Sequence, residues 1–211
     1  MDDPAGWLPD WRGETVAIIA SGPSLKGVSF AAIEGKLRII AIKENYHRCK
    51  RPPDMVYGCD AAWWRHVRGL PGYKGLKVCG TAHIKTEYPD IWIVAVPKLE
   101  DRLLTETRGR IGAGGNSGFQ ALNIAVQAGV RRILLLGFDM GGEPVHWYGT
   151  NNWMGSSNPN PVNFARWVRA FQTASGQLAA LGIEVINTSM ASAMPSFRRV
   201  PLDQAIREWE L

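Results

Sequence analysis

Asp139 follows an apolar segment directly, and its carboxylate is the first candidate in this sequence for a functional group of a site. The run from Ile133 to Phe138 is apolar apart from its glycine, and Asp139 comes directly after it. If the run is a strand of a parallel sheet, Asp139 lies at the carboxyl edge of that sheet, where α/β proteins bind ligands. We therefore predict that Asp139 is a site residue with a catalytic role.

A turn of small residues follows another apolar segment near the start of the chain. Residues 15–21 suit a strand covered on both faces, and Gly22, Pro23 and Ser24 come next. Gly22 permits a tight turn, and Ser24 can cap a short helix, which would leave the backbone N–H groups of residues 22–25 free for a phosphate. An ordinary strand–turn–helix corner is the alternative, because the segment is neither a dinucleotide fingerprint nor a Walker loop.

A second turn of small residues, Asn116, Ser117 and Gly118, opens a segment of helical character at residues 116–129. The backbone donors and the dipole at the start of a helix can hold an anionic or carbonyl group of a ligand. A plain N-cap made by Asn116 or Ser117 explains the same residues equally well.

The irregular stretch at residues 141–161 contains a single histidine, His146, among many Tyr, Trp, Asn and Gly residues. It leaves directly from the predicted strand that ends at Asp139, so we expect it to overhang the ligand crevice. Histidine suits general acid or base catalysis near neutral pH. From the same stretch, Tyr148 or Asn151 could stabilise a departing phosphate. A loop histidine without a role is the alternative.

Polar residues also follow two further predicted strands, at Glu44–Asn45 and at Asp60. In a parallel sheet these residues share one rim with residues 22–24 and with Asp139. The two aspartates could jointly hold a divalent cation such as magnesium, but aspartates at strand ends also cap helices and bind ribose hydroxyls. We predict no bound metal.

Strands and helices alternate along the chain, which predicts a Rossmann-like α/β fold with a mostly parallel sheet and helices on both faces. We expect one domain over residues 1–211. The apolar residues of the helix at 161–181 have helical spacing, which favours core packing over substrate contact. A weak pattern at 99–110 favours a short helix. The predicted strands span residues 15–21, 37–43, 54–59, 76–80, 91–96, 132–138 and 183–187, and the predicted helices span 24–33, 60–69, 116–129, 161–181 and 202–209.

The composition and the sequence pattern argue against a zinc protein, a secreted protein and a membrane-spanning protein. The 211 residues carry a formal net charge of +5, a small excess that favours anionic partners such as nucleotides or, more weakly, nucleic acid. The three cysteines lack the spacing of a zinc site, which favours reduced thiols in the cytoplasm. The chain begins without a leader pattern and contains no apolar run long enough to span a membrane, so we expect a cytoplasmic protein.

Five segments of the chain carry a resemblance to known families. They are Ile18–Lys26, where a strand leads into Gly-Pro-Ser-Leu-Lys, Ser117–Gly118 with the helix that follows, Ala128–Asp139, His146–Gly149 and the closing strand Ile183–Ser189. In this order they resemble segments of the bacterial sialyltransferases of glycosyltransferase family 42. The archaeal 6-hydroxymethylpterin diphosphokinase-like family, formerly a domain of unknown function, shares the two core motifs, and uncharacterised proteins of tailed phages and prophages look most similar.

The resemblance implies roles for individual residues. His146 would deprotonate an acceptor hydroxyl. The chain is shorter than the sialyltransferases, lacks their C-terminal membrane-associating extension and has a Trp-rich loop in place of their lid. The residues expected to contact a nucleotide are Gly22, Pro23, Ser24, Asn45, Ser117 and Gly118, and we add Asp60, Asn116, Tyr148 and Asn151 to this set.

The function predicted first is glycosyl transfer from a nucleotide-activated sugar to an acceptor hydroxyl of a small molecule or saccharide. The second is diphosphate transfer from ATP to a hydroxymethyl group, with magnesium held by Asp60 and Asp139. The third is a non-catalytic phage protein that binds nucleotide or nucleic acid through its tryptophans and its basic clusters at residues 47–51, 131–132 and 198–199, and that lies in the host cytoplasm.

Overall fold

One parallel sheet of eight strands forms the centre of the protein, in the order β5-β4-β3-β2-β1-β6-β7-β8. A computed structural model describes residues 5–143 and 145–211. Residues 1–4, within the stretch expected to lack a leader, and Pro144 lie outside the described residues. The sheet confirms the predicted Rossmann-like α/β class. Its strands are β1 (Thr15–Ile19), β2 (Arg38–Ile42), β3 (Met55–Gly58), β4 (Leu76–Cys79), β5 (Trp92–Ile93), β6 (Arg132–Leu136), β7 (Glu184–Asn187) and β8 (Arg198–Arg199).

The central strands are apolar on both faces because both faces are covered. Successive side chains of a strand point to opposite sides of a sheet. In β1, Val16 and Ile18 therefore pack into one core, while Ala17 and Ile19 pack into a second core on the other face. This two-sided burial explains why the strand appears in the sequence as a continuous apolar run.

The α-helices differ in how deeply they are buried. Every residue from Ser117 to Val126 is buried, so the third helix lies inside the main core. The last helix buries one stripe, represented by Ala205 and Trp209, against the opposite face. The helices are α1 (Ala61–His66), α2 (Ile84–Glu87), α3 (Ser117–Gln127), α4 (Pro161–Ala180) and α5 (Leu202–Trp209), with 3-10 helices at Pro23–Leu25 and Lys43–Arg48.

The helix predicted at residues 24–33 does not form. A 3-10 helix occupies only Pro23–Leu25, and turns follow it. Gly27 has a φ angle of +80°, a left-handed backbone that a continuing α-helix does not allow. This glycine therefore ends the short helix and divides the segment into separate turns.

The short helix predicted at residues 99–110 is also wrong. The segment is irregular and is held by Asn123 of α3, a side chain that is fully buried. Its Oδ1 accepts hydrogen bonds from the backbone N–H groups of Leu104 and Gly112, both at 2.8 Å, and its Nδ2 donates to the Leu104 carbonyl at 2.9 Å. A side chain thus replaces the backbone partners that a helix would supply.

The strand order reverses between β1 and β6. Strands β2 to β5 extend the sheet to one side of β1, whereas β7 and β8 extend it to the other side of β6. The chain therefore leaves the carboxyl ends of β1 and β6 in opposite directions and opens a crevice there, the usual ligand site of doubly wound sheets.

No helix among residues 5–143 and 145–211 is long and apolar enough to cross a membrane.

Replacing Asn123 by alanine should destabilise the fold strongly. The change leaves the buried N–H groups of Leu104 and Gly112 without a partner, and each costs about 1–3 kcal/mol, whereas the Leu104 carbonyl keeps a hydrogen bond from Gln127. We expect a loss of roughly 3 kcal/mol or more in the free energy of unfolding, measured by urea denaturation. The control Gln172→Ala, which removes an exposed amide from α4, should change it by less than about 0.5 kcal/mol. Equal stabilities for the two variants would contradict the role given to Asn123.

Candidate functional site

A cavity of about 260 Å³ opens at the carboxyl edge of the sheet, where β1 and β6 diverge. The two small-residue turns at 22–23 and 116–118 both line it, so the structure brings together two segments that were each predicted to bind a ligand. The predicted site residues that line the cavity are Gly22, Pro23, Asp60, Asn116, Ser117, Gly118, Asp139, His146, Tyr148 and Asn151.

Two predicted nucleotide-binding residues, Ser24 and Asn45, lie outside the lining of this cavity. Ser24 does not cap the short helix; its hydroxyl instead donates to Ser189 Oγ at 2.9 Å. Asn45 is fully buried, and its Nδ2 donates to Ser21 Oγ at 2.9 Å and to the Ile42 carbonyl at 2.6 Å. Both residues support the cavity wall from behind.

The backbone N–H groups of residues 22–25 are already engaged. Gly22 N donates to the Gly137 carbonyl at 2.9 Å, Ser24 N donates to Asp139 Oδ2 at 2.8 Å, and Leu25 N donates to the Gly22 carbonyl at 3.1 Å. Pro23 has no N–H. The expectation that free donors in this turn bind a phosphate is therefore wrong.

Asp139 ties this turn to the end of β6. A Cβ added to Gly22 would lie 2.3 Å from Asp139 Oδ2 and 2.5 Å from the Gly137 carbonyl oxygen, so only glycine fits the contact. The other oxygen of the carboxylate, Asp139 Oδ1, is buried and has no hydrogen-bond partner among the described residues. One half of the carboxylate thus organises the backbone, and the other half remains able to accept a hydrogen bond.

A buried polar network behind Asp139 was not predicted from the sequence. Ser189 Oγ accepts from the backbone N–H of Phe138 at 2.9 Å, and Ser192 Oγ donates to the Phe138 carbonyl at 2.6 Å. Ala193 N donates to the Asp139 carbonyl at 2.8 Å. The cluster of small polar residues after β7 was the available signal, because such residues bond to nearby backbone groups.

The start of α3 forms the opposite wall. Asn116 is the N-cap, since its Oδ1 accepts from Phe119 N at 2.9 Å, and Ser117 Oγ accepts from Cys59 N at 3.2 Å. A Cβ on Gly118 would lie 2.7 Å from the Phe138 ring, so glycine allows the helix to approach β6 closely. The first N–H groups of a helix lack acceptors within it, which makes this terminus the better anion site.

Lys43 is a cavity residue that the site prediction missed. Its Nζ lies 2.5 Å from Asp60 Oδ2, and its φ of +51° is uncommon for a residue other than glycine. Burial lowers the pKa of the Lys43 ammonium, but the acidic groups of Cys59 and Asp60 outweigh burial and leave that pKa raised. Among the described residues that line the cavity, Lys43 is the one lysine or arginine. Its place at the end of an apolar strand was the signal.

Asp60 is occupied by the protein itself. Its Oδ2 pairs with Lys43, and its Oδ1 accepts from Trp63 N at 3.1 Å as the N-cap of α1. The ion pair neutralises the carboxylate, so Asp60 has little capacity left for a metal ion. Within residues 5–143 and 145–211, no group of three or more His, Cys, Asp or Glu side chains is placed to bind one metal.

The turn that carries His146 is held in place by Trp147. The backbone groups of His146 and Gly149 exchange two hydrogen bonds of 2.9 Å, which close a tight turn. Trp147 N donates to the Ser21 carbonyl at 2.9 Å, and its Nε1 donates to Asn45 Oδ1 at 2.8 Å. The Arg48 guanidinium lies 4.7 Å from the Trp147 ring centre. His146 is therefore presented by an anchored turn.

The imidazole of His146 is neutral at neutral pH. Burial, together with the positive charge of Lys43, lowers its pKa from 6.5 to about 4, although a hydrogen bond with the Ser21 backbone opposes this. The ring stacks on Tyr148 with a centroid distance of 5.0 Å. Burial raises the pKa of the Tyr148 phenol, so this hydroxyl stays protonated.

The first half of α4 lines the cavity instead of packing in the core. Phe164 and Trp167 are both lining residues, their rings meet edge to face at 5.4 Å, and Trp167 Nε1 donates to the Gly115 carbonyl at 2.9 Å. Val162 is 78% exposed, whereas Phe171 is buried. The prediction that the early apolar residues of this helix pack in the core is wrong, because the helix extends past the sheet.

The fold of this protein is similar to that of a sialyltransferase of known structure. The sialyltransferase CST-II, in complex with a trisaccharide acceptor and CMP, is 14% identical with a TM-score of 0.56, over 89% of this chain and 86% of that chain. CstII from Campylobacter jejuni with CMP-3FNeuAc is 13% identical with a TM-score of 0.52, over 93% and 99%. Neither a protein-family model nor a curated protein sequence matches the chain.

The protein should lose stability in mild acid through His146. Because the pKa of the folded histidine is lowered from 6.5 to about 4, the unfolded chain binds a proton in this window that the folded chain does not. The contribution is complete above pH 6.5 and is lost as the pH falls towards 4. The melting temperature of His146→Gln should therefore fall less over this range than that of the wild type.

The matched control is His47→Gln, because the His47 side chain is 57% exposed. It should keep the wild-type dependence of melting temperature on pH. If His146→Gln and His47→Gln have the same pH dependence, the imidazole of His146 is not held neutral by its surroundings.

Proposed function

We propose that the protein transfers a glycosyl group from a nucleotide-activated sugar to an acceptor hydroxyl. The observation that carries this proposal is a neutral, partly buried histidine in the same cavity as a helix N-terminus and a partly buried lysine. A neutral imidazole can accept a proton, and the other two groups favour the negative charge that develops on the departing phosphate. The fold shared with CstII, whose structures contain CMP or a CMP-linked analogue, is consistent with this chemistry.

The donor phosphate is proposed to bind between the start of α3 and Lys43. The N–H groups of Ser117 and Gly118 belong to the first turn of an 11-residue helix, where the dipole favours an anion. Lys43 supplies the positive charge, and Asp60 fixes its ammonium at 2.5 Å. The turn at 22–25 then has a different role, since its donors are engaged: it shapes the wall on which Asp139 Oδ1 can accept a hydroxyl or amino group of the donor.

The proposed reaction moves one proton and breaks one bond. The acceptor oxygen attacks the anomeric carbon as its proton passes to His146, and the bond between that carbon and the phosphate oxygen breaks with both electrons leaving on the phosphate. The Tyr148 hydroxyl is protonated but donates its one hydrogen to Asn151 Oδ1 at 3.0 Å, so the charge of the departing phosphate oxygen is stabilised by Lys43 and the start of α3 instead.

The acceptor is proposed to lie against the first half of α4. Phe164 and Trp167 present aromatic surface to the cavity, and Asn163 adds a polar side chain beside them. Aromatic rings pack against the apolar face of a sugar, while amides bind its hydroxyls. A saccharide acceptor fits this wall better than a purely apolar one.

The two alternative functions are less well supported. A magnesium-dependent diphosphokinase would need Asp60 as a ligand, but both of its oxygens are engaged by the protein. A nucleic-acid-binding protein would need free basic clusters, yet Arg48 donates to two backbone carbonyls and Arg198 pairs with Glu208. Trp63 and Trp64 are fully buried and offer no surface for base stacking.

Nucleotide binding should be detectable by a thermal-shift panel of CMP, UDP, GDP, ATP and S-adenosylmethionine, each with and without magnesium. We expect CMP to raise the melting temperature without magnesium, because a ligand that binds only the folded state stabilises it. Lys43→Met should weaken CMP binding about tenfold or more, the scale of a lost charge-assisted hydrogen bond. Lys74→Met, which alters an exposed lysine before β4, should leave the affinity unchanged. A shift with ATP that requires magnesium would favour the diphosphokinase instead.

Turnover should depend on His146. His146→Ala should leave nucleotide affinity nearly unchanged and lower kcat by roughly a hundredfold or more, the scale of a lost general base. The rate of nucleotide release from the donor, with a saccharide acceptor present, measures this. The exposed His47 provides the control His47→Ala, which should keep wild-type turnover. Full transferase activity in His146→Ala would refute the proposed mechanism.

A further inference from the structure

Asn151 occupies the centre of the segment that overhangs the cavity, and it is only 8% exposed. Its backbone is fixed by a reciprocal pair of contacts with Asn158. Asn151 N donates to Asn158 Oδ1 at 2.7 Å, and Asn158 Nδ2 donates to the Asn151 carbonyl at 3.1 Å. A residue pinned in this way can hold another side chain in one orientation.

The partners of the Asn151 amide determine which end faces which neighbour. Its Nδ2 lies 2.8 Å from the Ser157 carbonyl, which can only accept a hydrogen bond. The amide nitrogen must therefore be at this end. The opposite end, Oδ1, accepts from the Tyr148 hydroxyl at 3.0 Å. Exchanging the two ends would set two carbonyl oxygens against each other, so the orientation is fixed by chemistry.

The same amide nitrogen lies 3.2 Å from His146 Nε2. An amide N–H can only donate, so Nε2 must accept and carries no proton. The proton of a neutral imidazole is then on Nδ1. The Ser21 backbone raises the pKa of His146 through a hydrogen bond. A carbonyl that accepts the Nδ1–H has this effect.

We propose that Asn151 is a positioning residue that holds His146 as the Nδ1–H tautomer, with the basic lone pair on Nε2. The tautomer itself does not depend on the proposed function, but its role in catalysis does. In the proposed reaction, the acceptor hydroxyl displaces the Asn151 N–H from Nε2 and gives its own proton to that nitrogen. The stacked Tyr148 ring keeps the imidazole in place while this happens. Asn151, which was predicted to bind the nucleotide, acts instead through the base.

The amide also disfavours protonation of the resting enzyme. A protonated Nε2 would face the Asn151 N–H, and two donors cannot bond to each other. The other groups that face or influence the ring are the Lys43 ammonium, its partner Asp60 and the stacked Tyr148 phenol. None of them offers a carboxylate directly to Nε2, so the Asn151 amide has the deciding contact.

Nitrogen-15 NMR of the 211-residue chain, labelled at the histidine rings, tests this without any substrate. In the wild type at neutral pH, the spectrum of His146, assigned through the loss of its signals in His146→Gln, should show a protonated Nδ1 and an unprotonated Nε2. A protonated Nε2 in the wild type would overturn the proposal. This readout is independent of activity, so it remains decisive even if the protein transfers no sugar or if the Asn151 variants fail to fold.

Two substitutions extend the test. Asn151→Asp places an acceptor opposite Nε2, so the proton should move to that nitrogen and the pKa of His146 should rise by about 1–3 units. Asn151→Ala removes the opposing donor and should raise that pKa and shift the acid limb of the kcat/KM profile to higher pH. Tyr148→Phe is the control, because it leaves the amide donors in place and should preserve the wild-type tautomer. Unchanged tautomer and pKa in both folded Asn151 variants would show that Asn151 is merely structural.

Discussion

The site depends on the parallel pairing of β1 with β6. Their register aligns Thr15 with Arg132 and Ile19 with Leu136, so both strands end at the same level of the sheet. The turn after β1 and the turn after β6 then meet, and Gly22 bonds through its N–H to the Gly137 carbonyl. The cavity forms because the chain segments that leave the carboxyl ends of β1 and β6 begin side by side and then run in opposite directions. A shift of this register by one residue would separate Gly22 from Gly137 and Ser24 from Asp139.

Side chains that look functional in the sequence divide into two layers around that point. The inner layer lines the cavity and includes His146, Lys43 and the start of α3. The outer layer, with Asn45 and Ser24, satisfies buried backbone and indole groups behind it. The type of a polar residue at a strand end does not show to which layer it belongs. That depends on the direction in which its side chain points.

This division explains which parts of the fold and of the site could be predicted from the sequence. The sheet was predictable because β1 and β6 are buried on both faces and therefore appear as unbroken apolar runs. The meeting of residues 22–23 with residues 116–118 followed from the parallel topology. The engaged donors of the first turn were not predictable, because Ser24 N bonds to a carboxylate 115 residues away. The failed helix at 99–110 has a similar cause, since Asn123 supplies from outside the segment the bonds that the segment would otherwise make itself.

The anchoring of Trp147 has a consequence for how a substrate reaches the cavity. Two parts of the fold hold this one residue: Ser21 after β1, and the 3-10 helix Lys43–Arg48 through Asn45 and Arg48. The backbone of the neighbouring His146 therefore moves only if both release it. The start of α4 is less constrained, since Val162 is exposed there. Any movement that widens the cavity is therefore expected at the start of α4 and not at the turn that carries His146.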